Sequence, residues 1–322
     1  MRTLRGLGLV ALVLGFAQVV FGAVVRISGS GMGCGDHWPD CYGSFTPAHN
    51  GLNLLIEISH RYGAAALSLA IAALAFAAWL KRRSPGVGGP GGVLRASLVA
   101  MLLVVVAALF GAVTVKLALH PLVVVTHLTI AMALLAVLVV IVVRAGGLGA
   151  LAVAERSERA LRNGIAATGL TFFALVLGAM TANTPGAAVS CQGFPWCQTI
   201  VGSGAPLAIQ VWHRIIAFLL FGHLIGLVIG MRTRAEARPI RIAGRTALSL
   251  VILQILVAAV MVEMHLPQSL RSIHQAIGTA LWISVVALVA LASAPRYMTD
   301  IERIVFESPS RGEFATPEGV ST

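Results

Sequence analysis

Residues 122–143 read LVVVTHLTIAMALLAVLVVIVV, a predominantly apolar run with one histidine and no charged side chain. A helix that crosses the hydrocarbon core of a bilayer needs about 20 such residues, so this stretch predicts a transmembrane helix. The chain as a whole is 58% hydrophobic and only 11% charged, against about 25% charged in a soluble domain. Similar runs predict an all-α integral membrane protein with eight transmembrane helices, near residues 5–25, 58–80, 96–117, 122–143, 164–183, 209–231, 246–264 and 273–294.

The net charge of +11 is explained better by membrane topology than by nucleic-acid binding, because the basic residues flank the apolar runs. With both termini cytoplasmic, most Lys and Arg residues fall inside, and only Arg26, Arg61, Lys116, Arg214 and Arg271 fall outside. This positive-inside bias predicts a multi-pass protein of the plasma membrane with lipid around it. The first run also resembles a signal peptide, but its cleavage would break the internal repeat described next, which favours a retained helix.

The second half of the sequence repeats features of the first at an offset of roughly 150 residues. Each repeat has four predicted helices, so both enter the membrane in the same direction and form two four-helix bundles related by a pseudo-twofold axis along the bilayer normal. We expect an N-terminal bundle over 1–144, a cytoplasmic connector over 145–163, a C-terminal bundle over 164–295 and a disordered cytoplasmic tail over 296–322. The matched features are Gly22-Ala23 with Gly178-Ala179, His60-Arg61 with His213-Arg214, His120 with His265, and His127 with His274.

All four cysteines fall in two predicted outer loops, as Cys34 with Cys41 and Cys191 with Cys197. Disulfides persist on the oxidising side of the membrane, so we expect one short-loop disulfide in each half. Four unpaired small apolar side chains are the alternative. Redox activity of one pair stays open.

Four histidines lie at similar depth near the outer ends of predicted helices, namely His60 and His127 in the first half and His213 and His274 in the second. Intramembrane ionisable residues indicate functional sites. We expect His60 and His213 in the first turns of their helices. Two imidazoles from different helices of one bundle suit the axial positions of a haem iron. Zinc or copper is the competing interpretation, but only the second half has an acid from a third helix, Glu263, near this depth.

Together with the residues above, a set of local motifs resembles the haem A synthase family over about residues 8–294. The resemblance implies eight helices, four haem-ligating histidines, a cysteine pair in the first outer loop, and oxidation of a methyl group of haem O to the formyl group of haem A for a terminal oxidase. It also implies a haem b cofactor, an unidentified electron donor, and contact with haem O synthase or oxidase assembly factors. The motifs are GAVVR at 22–26, GSGMGC at 29–34, Trp38-Pro39, EISHR at 57–61, THL at 126–128, HRIIA at 213–217 and His274-Gln275.

Glu57 precedes His60 by three residues and so shares its helix face, whereas the second half has Gln210 at the matching position. Because only the first half has a carboxyl group beside a ligand, we predict a catalytic, proton-handling role for Glu57. The alternative is that Glu57 is a negative charge placed near the N-terminus of its helix to suit the helix dipole. In line with the family, we expect His60 and His127 to hold the substrate haem, and His213 and His274 to hold haem b.

Four further residues are candidates for contact with haem propionates. Arg61 and Arg214 directly follow a ligand of each pair, although snorkelling towards the membrane surface explains them equally well. His120 and His265 lie at the outer ends of helices, where loop-surface positions are the alternative. His223 has no counterpart in the first half and is interpreted as structural.

Two other classes of function are compatible with a repeated membrane bundle. A dihaem b-type cytochrome that only transfers electrons would have less reason for the asymmetry between Glu57 and Gln210. A transporter would show broken helices and polar residues near the midplane, and few are present. One difficulty of the enzyme hypothesis is that two axial histidines leave no open position on the iron, so that either one ligand leaves during turnover or water supplies the oxygen atom.

Overall fold

A computed structural model describes residues 1–45, 51–153 and 155–293 of the chain. The eight expected transmembrane helices are confirmed, since each is long and apolar enough to span a bilayer. The expected tail, beyond residue 293, and His49 lie outside the described residues. The helices are α1 (Arg2–Ile27), α2 (Leu52–Leu80), α3 (Val93–Lys116), α4 (Pro121–Arg144), α5 (Glu158–Asn183), α6 (Gly204–Thr233), α7 (Arg238–Glu263) and α8 (Gln268–Ala292).

The helices pack as two four-helix bundles with the same neighbour pattern. In the first bundle α1 contacts α2 and α4, and α3 closes the ring between α2 and α4. In the second bundle α5 contacts α6 and α8, and α7 closes the ring between α6 and α8. This repeated pattern agrees with the pseudo-twofold arrangement expected from the sequence.

The two bundles meet through α1 and α4 on one side and α5 and α8 on the other. At the centre of this interface the buried Trp282 of α8 donates its indole N–H to the carbonyl of Met132 on α4, at 2.8 Å. Nearer the outer surface, Arg26 at the end of α1 donates to the carbonyl of Ala182 on α5, at 2.9 Å. Both bonds join the first half of the chain to the second.

Several helices begin earlier than the apolar runs indicate. The prediction that His60 and His213 lie in first turns is wrong, because α2 begins at Leu52 and α6 at Gly204. The apolar runs are expected from residues 58 and 209, whereas the helices begin roughly one and a half turns earlier. At 3.6 residues per turn, both histidines therefore lie in third turns.

The segment that joins the two bundles is also shorter than the connector expected from the sequence. Helix α5 begins at Glu158, within the range assigned to the connector, because Ser157 caps it by accepting the backbone N–H of Ala160 at 3.2 Å. Serine at this position supplies one of the acceptors that the first turn of a helix lacks.

As expected, each bundle carries a disulfide-closed loop between its first two helices. Cys34 bonds to Cys41 between α1 and α2, and Cys191 bonds to Cys197 between α5 and α6. The second loop also contains a short antiparallel pair, β1 (Cys191–Gln192) and β2 (Thr199–Ile200).

Candidate functional site

The His60 ring of α2 lies against α1 at a glycine. A methyl group built on Gly22 would be 3.0 Å from Cε1 of His60, so the imidazole occupies the space that a side chain would fill. Phe21 lies beside the ring in an edge-on arrangement, with centroids 5.9 Å apart. The close approach of α1 and α2 therefore depends on glycine, and it fixes one wall of the first-half site.

The second half repeats this arrangement with matched residues. A methyl group on Gly178 of α5 would be 2.9 Å from Cε1 of His213 on α6. Nδ1 of His213 lies 2.9 Å from the carbonyl oxygen of Ala174, which can only accept a hydrogen bond. His213 therefore carries its proton on Nδ1 and leaves the lone pair of Nε2 free.

His127 of α4 and His274 of α8 are the second members of the two pairs. Each has a buried Nδ1 without a hydrogen-bond partner among the described residues. His127 also faces a glycine, because a methyl group on Gly111 would lie 3.6 Å from its Cε1. Nε2 of His274 lies 3.1 Å from the side-chain amide nitrogen of Gln254 on α7.

The structure brings the histidines together in the two pairs expected from the sequence. His60 lies within electrostatic reach of His127, and His274 lies within reach of His213. Within residues 1–45, 51–153 and 155–293, no group of three His, Cys, Asp or Glu side chains is arranged to hold a metal ion. Two buried imidazoles from different helices of each bundle would fit the two axial positions of a haem iron.

Glu57 and Gln210 occupy equivalent places beneath the outer loops. Oε2 of Glu57 accepts the backbone N–H of Cys34 at 2.8 Å, and Oε1 of Gln210 accepts that of Cys191 at 2.7 Å. Both side chains are almost completely buried. Each half thus ties its disulfide loop to the helix that carries its first histidine, with a carboxylate in one half and an amide in the other.

The arginines that follow the first histidines hold the same loops. Arg61 forms a 2.5 Å ion pair with Glu57 and donates to the carbonyl of Asp40 at 2.6 Å. Arg214 donates to the carbonyls of Cys191 and Gly193, both at 2.8 Å. The guanidinium groups therefore reach outward to loop carbonyls, which is the direction that snorkelling predicts.

The remaining histidines have separate surroundings. His120 and His265 are exposed at the outer turns before α4 and α8. His223 lies deeper on α6, where its Nε2 is 2.9 Å from the carbonyl of Asn163, a bond that joins α6 to α5 as a structural role requires. His37 packs against Tyr42 in the first outer loop.

Two glutamines beside the histidines were not identified from the sequence. Gln18 of α1 contacts His60, and Gln254 of α7 contacts His274. Each is an isolated polar residue within an apolar run, which is a signal that sequence analysis can use.

Comparison with known proteins identifies the family of the chain. Residues 5–286 match the family model COX15-CtaA, described as cytochrome oxidase assembly protein. The chain belongs to this family. A haem A synthase from Bacillus pumilus is 30% identical over 231 residues, which cover 68% of this chain and 71% of that protein. One from Macrococcus caseolyticus is 28% identical over 269 residues, or 80% of this chain and 86% of that protein.

A shorter match has a higher sequence identity. The haem A synthase of Bacillus licheniformis is 40% identical over 80 residues, but these cover only 25% of this chain and 26% of that protein. The COX15-CtaA match, in contrast, extends from within α1 to within α8 and so spans the positions of all four histidines. Membership of the family therefore concerns both bundles.

Proposed function

We propose that this chain is a haem A synthase, which oxidises a methyl substituent of haem O to the formyl group of haem A for a terminal oxidase. The observation that carries the proposal is the duplicated pair of intramembrane histidines, His60 with His127 and His213 with His274, in a chain of the COX15-CtaA family. Relatives that bear the name haem A synthase support the same reaction.

The two halves are assigned different haems. The first bundle, over 1–144, binds the substrate haem through His60 and His127, and the second, over 164–295, binds a resident haem b through His213 and His274. The difference between Glu57 and Gln210 supports this division, because both side chains make the same bond to the loop but only Glu57 carries a charge. A buried charge that is not needed for the loop suits the half where chemistry occurs.

A bound haem supplies the redox-active iron, and the chain supplies position and proton handling. The four histidines would hold the haem iron between helices of each bundle. Glu57, one turn from His60, forms an ion pair with Arg61 at 2.5 Å. Its carboxylate is the group proposed to accept a proton as the methyl substituent is oxidised.

The proposed location is the plasma membrane, with both termini cytoplasmic and both disulfide loops outside. The disulfides support this orientation because such bonds persist on the oxidising side. Haem O is hydrophobic and reaches the first bundle through the lipid or directly from haem O synthase. Arg61, Arg214, His120 and His265 remain the proposed propionate contacts, since all four lie towards the outer surface, where charged groups meet water.

Pigment extraction tests the proposal directly. Protein purified from cells that make haem O should release haem b together with haem O or haem A, in similar amounts. Haem b in both sites, without haem O or haem A, would instead indicate a cytochrome that only transfers electrons. The companion measurement is haem A formation in cells that supply haem O, with and without this protein.

A further inference from the structure

The tip of the second disulfide loop, residues 193–196, folds back along the side of α6. The rings of Phe194 and Trp196 both lie against the ring of Phe218 on α6, with centroids 6.1 Å and 6.4 Å away. Phe218 is five residues beyond His213, and aromatic side chains on a helix point back towards the start of that helix. The loop tip is therefore close to the level of His213.

This level corresponds to the edge of the hydrocarbon core of a bilayer. Helix α6 begins at Gly204, about 14 Å before His213, so the loop tip lies beside the helix and not above its end. Arg232, in the last turn of α6, is about 28 Å of helix beyond His213. Because the hydrocarbon core is about 30 Å thick, an arginine at one edge places the loop tip at the other.

The loop carries exposed apolar side chains and no charge. Trp196 is 76% exposed, and the neighbouring strand adds Ile200 and Val201, which are exposed as well. Trp212, beside His213 on α6, is 56% exposed. No Asp, Glu, Lys or Arg occurs over residues 184–212. Tryptophan is enriched where membrane and water meet, which suits an uncharged loop with this exposure.

Several backbone groups of the loop are paired within the protein. Arg214 donates to the carbonyl of Gly193 at 2.8 Å and to that of Pro195 at 3.2 Å. The carbonyl of Gln192 accepts the N–H of Gln198 at 2.8 Å. Proline has no N–H group, so Pro195 needs no acceptor. This pairing lowers the cost of placing irregular backbone beside lipid.

The first disulfide loop differs at the matching positions. Asp40 directly precedes the second cysteine of its loop, as Trp196 does in the second half. Five residues after its first histidine, the first half has Ala65 in place of Phe218. The first loop also contains Asp36. Carboxylates favour water over lipid, so the second loop alone suits a membrane surface.

We propose that the tip of the second disulfide loop lies in the interfacial layer of the membrane, where Trp196 contacts lipid. The occupant of this surface is the bilayer itself, because the loop tip packs on Phe218 and so extends the exposed apolar side of α6 that includes Leu219. The contact ties the part of the second bundle that carries His213 to the membrane surface. This placement goes beyond the proposed reaction and does not depend on it.

Photo-crosslinking of the purified full-length protein in vesicles of phosphatidylcholine tests the contact. The photoreactive residue p-benzoylphenylalanine replaces Trp196 in one protein and Asp40, the matched residue of the first loop, in the control. After irradiation, adducts are identified by mass spectrometry. We expect a lipid adduct at position 196 and none above background at position 40. The same irradiation is repeated in native membranes.

A second comparison decides the matter if the photoreactive protein does not fold. Trp196→Asp gives the second loop the residue that the first loop has there, whereas Trp196→Phe keeps an aromatic ring. In phosphatidylcholine vesicles the Asp variant should melt a few degrees below the Phe variant. Phosphatidylglycerol adds a negative surface that repels the carboxylate, so the difference should grow in vesicles that contain it. A difference that is the same in both vesicles would indicate lost packing on Phe218 alone and would contradict contact with lipid.

Two crosslinking results would also overturn the proposal. One is the absence of lipid adducts at position 196, or equal adducts at positions 196 and 40. The other is a crosslink from position 196 to a second protein chain in native membranes, in place of lipid, which would show that the loop tip is a protein interface. Neither result bears on the haem chemistry, which pigment extraction tests separately.

Discussion

At the scale of single residues, a comparison of Glu57 with Gln210 distinguishes the effect of a side-chain charge from the effect of its hydrogen bond to the loop. Both accept the N–H of a loop cysteine at nearly the same distance. The second half thus shows that an amide is sufficient to hold the loop. Glu57 differs from its counterpart in carrying a charge, whereas the amide nitrogen of Gln210 donates to the carbonyls of Ala188 and Cys191.

We expect Glu57→Gln to retain the loop and both haems but to lose catalysis. The amide can accept from Cys34 as Gln210 accepts from Cys191, and Arg61 keeps its bonds to the loop carbonyls. Haem A yield per folded, haem-loaded protein should fall by about two orders of magnitude, the usual effect of losing a general acid or base. Gln210→Glu is the matched control and should preserve the yield. Normal conversion by Glu57→Gln would show that the carboxylate serves only the loop.

The resident haem b depends on His213 and His274. Replacing either with Ala should abolish or shift the b-type absorption, because one axial ligand is lost. His223→Ala is a control on the same helix as His213, since this histidine bonds to a backbone carbonyl of α5. Its spectrum should match that of the unaltered protein. Unchanged spectra in both ligand variants would exclude this pair as the haem b site.

At the scale of helices, glycines set how closely α5 approaches α6. Gly178→Ala places a methyl group 2.9 Å from Cε1 of His213, so the ring or the helix must shift. We expect loss of most haem from the second half, measured as haem b per protein. Gly169→Ala lies on the same helix with nothing within 4 Å of the added methyl group, and it should retain full haem content. Equal haem content in the two variants would show that the contact does not position the ligand.

The sequence predicts these helices better than it predicts what holds their histidines. Eight apolar runs and the positions of His60 and His213 in the repeat follow from hydropathy and spacing alone. The first turns of α2 and α6 do not, because both lie before the apolar runs from which the helices are predicted. The contact between Gln18 and His60 depends on how α1 rotates against α2, which a one-dimensional pattern does not specify.

At the scale of the whole molecule, the repeat accounts for each bundle but not for their junction. The two halves have matched histidines, glycines and loop disulfides, and these matches are visible in the sequence. Trp282, at the centre of the interface, has Leu135 as its approximate counterpart in the first half, so the pattern of the repeat gives no reason to expect a bond there. The asymmetry arises because α8 contacts both α1 and α4 across the junction.

We expect Trp282→Phe to weaken the junction without emptying either haem site. The substitution keeps an aromatic ring in the buried interface but removes the N–H that reaches the carbonyl of Met132 at 2.8 Å. Such bonds within membranes contribute about 1 kcal/mol, so the melting temperature of the detergent-solubilised holoprotein should fall by a few degrees. Trp282→Ala also creates a cavity and should cost about 3–5 kcal/mol. Trp79→Phe is the matched control, because Trp79 is 48% exposed on α2. If Trp282→Phe melts like Trp79→Phe, the bond from Trp282 contributes nothing measurable, and the bundles are held together by the packing of α1 and α4 against α5 and α8 and by the bond from Arg26 to Ala182.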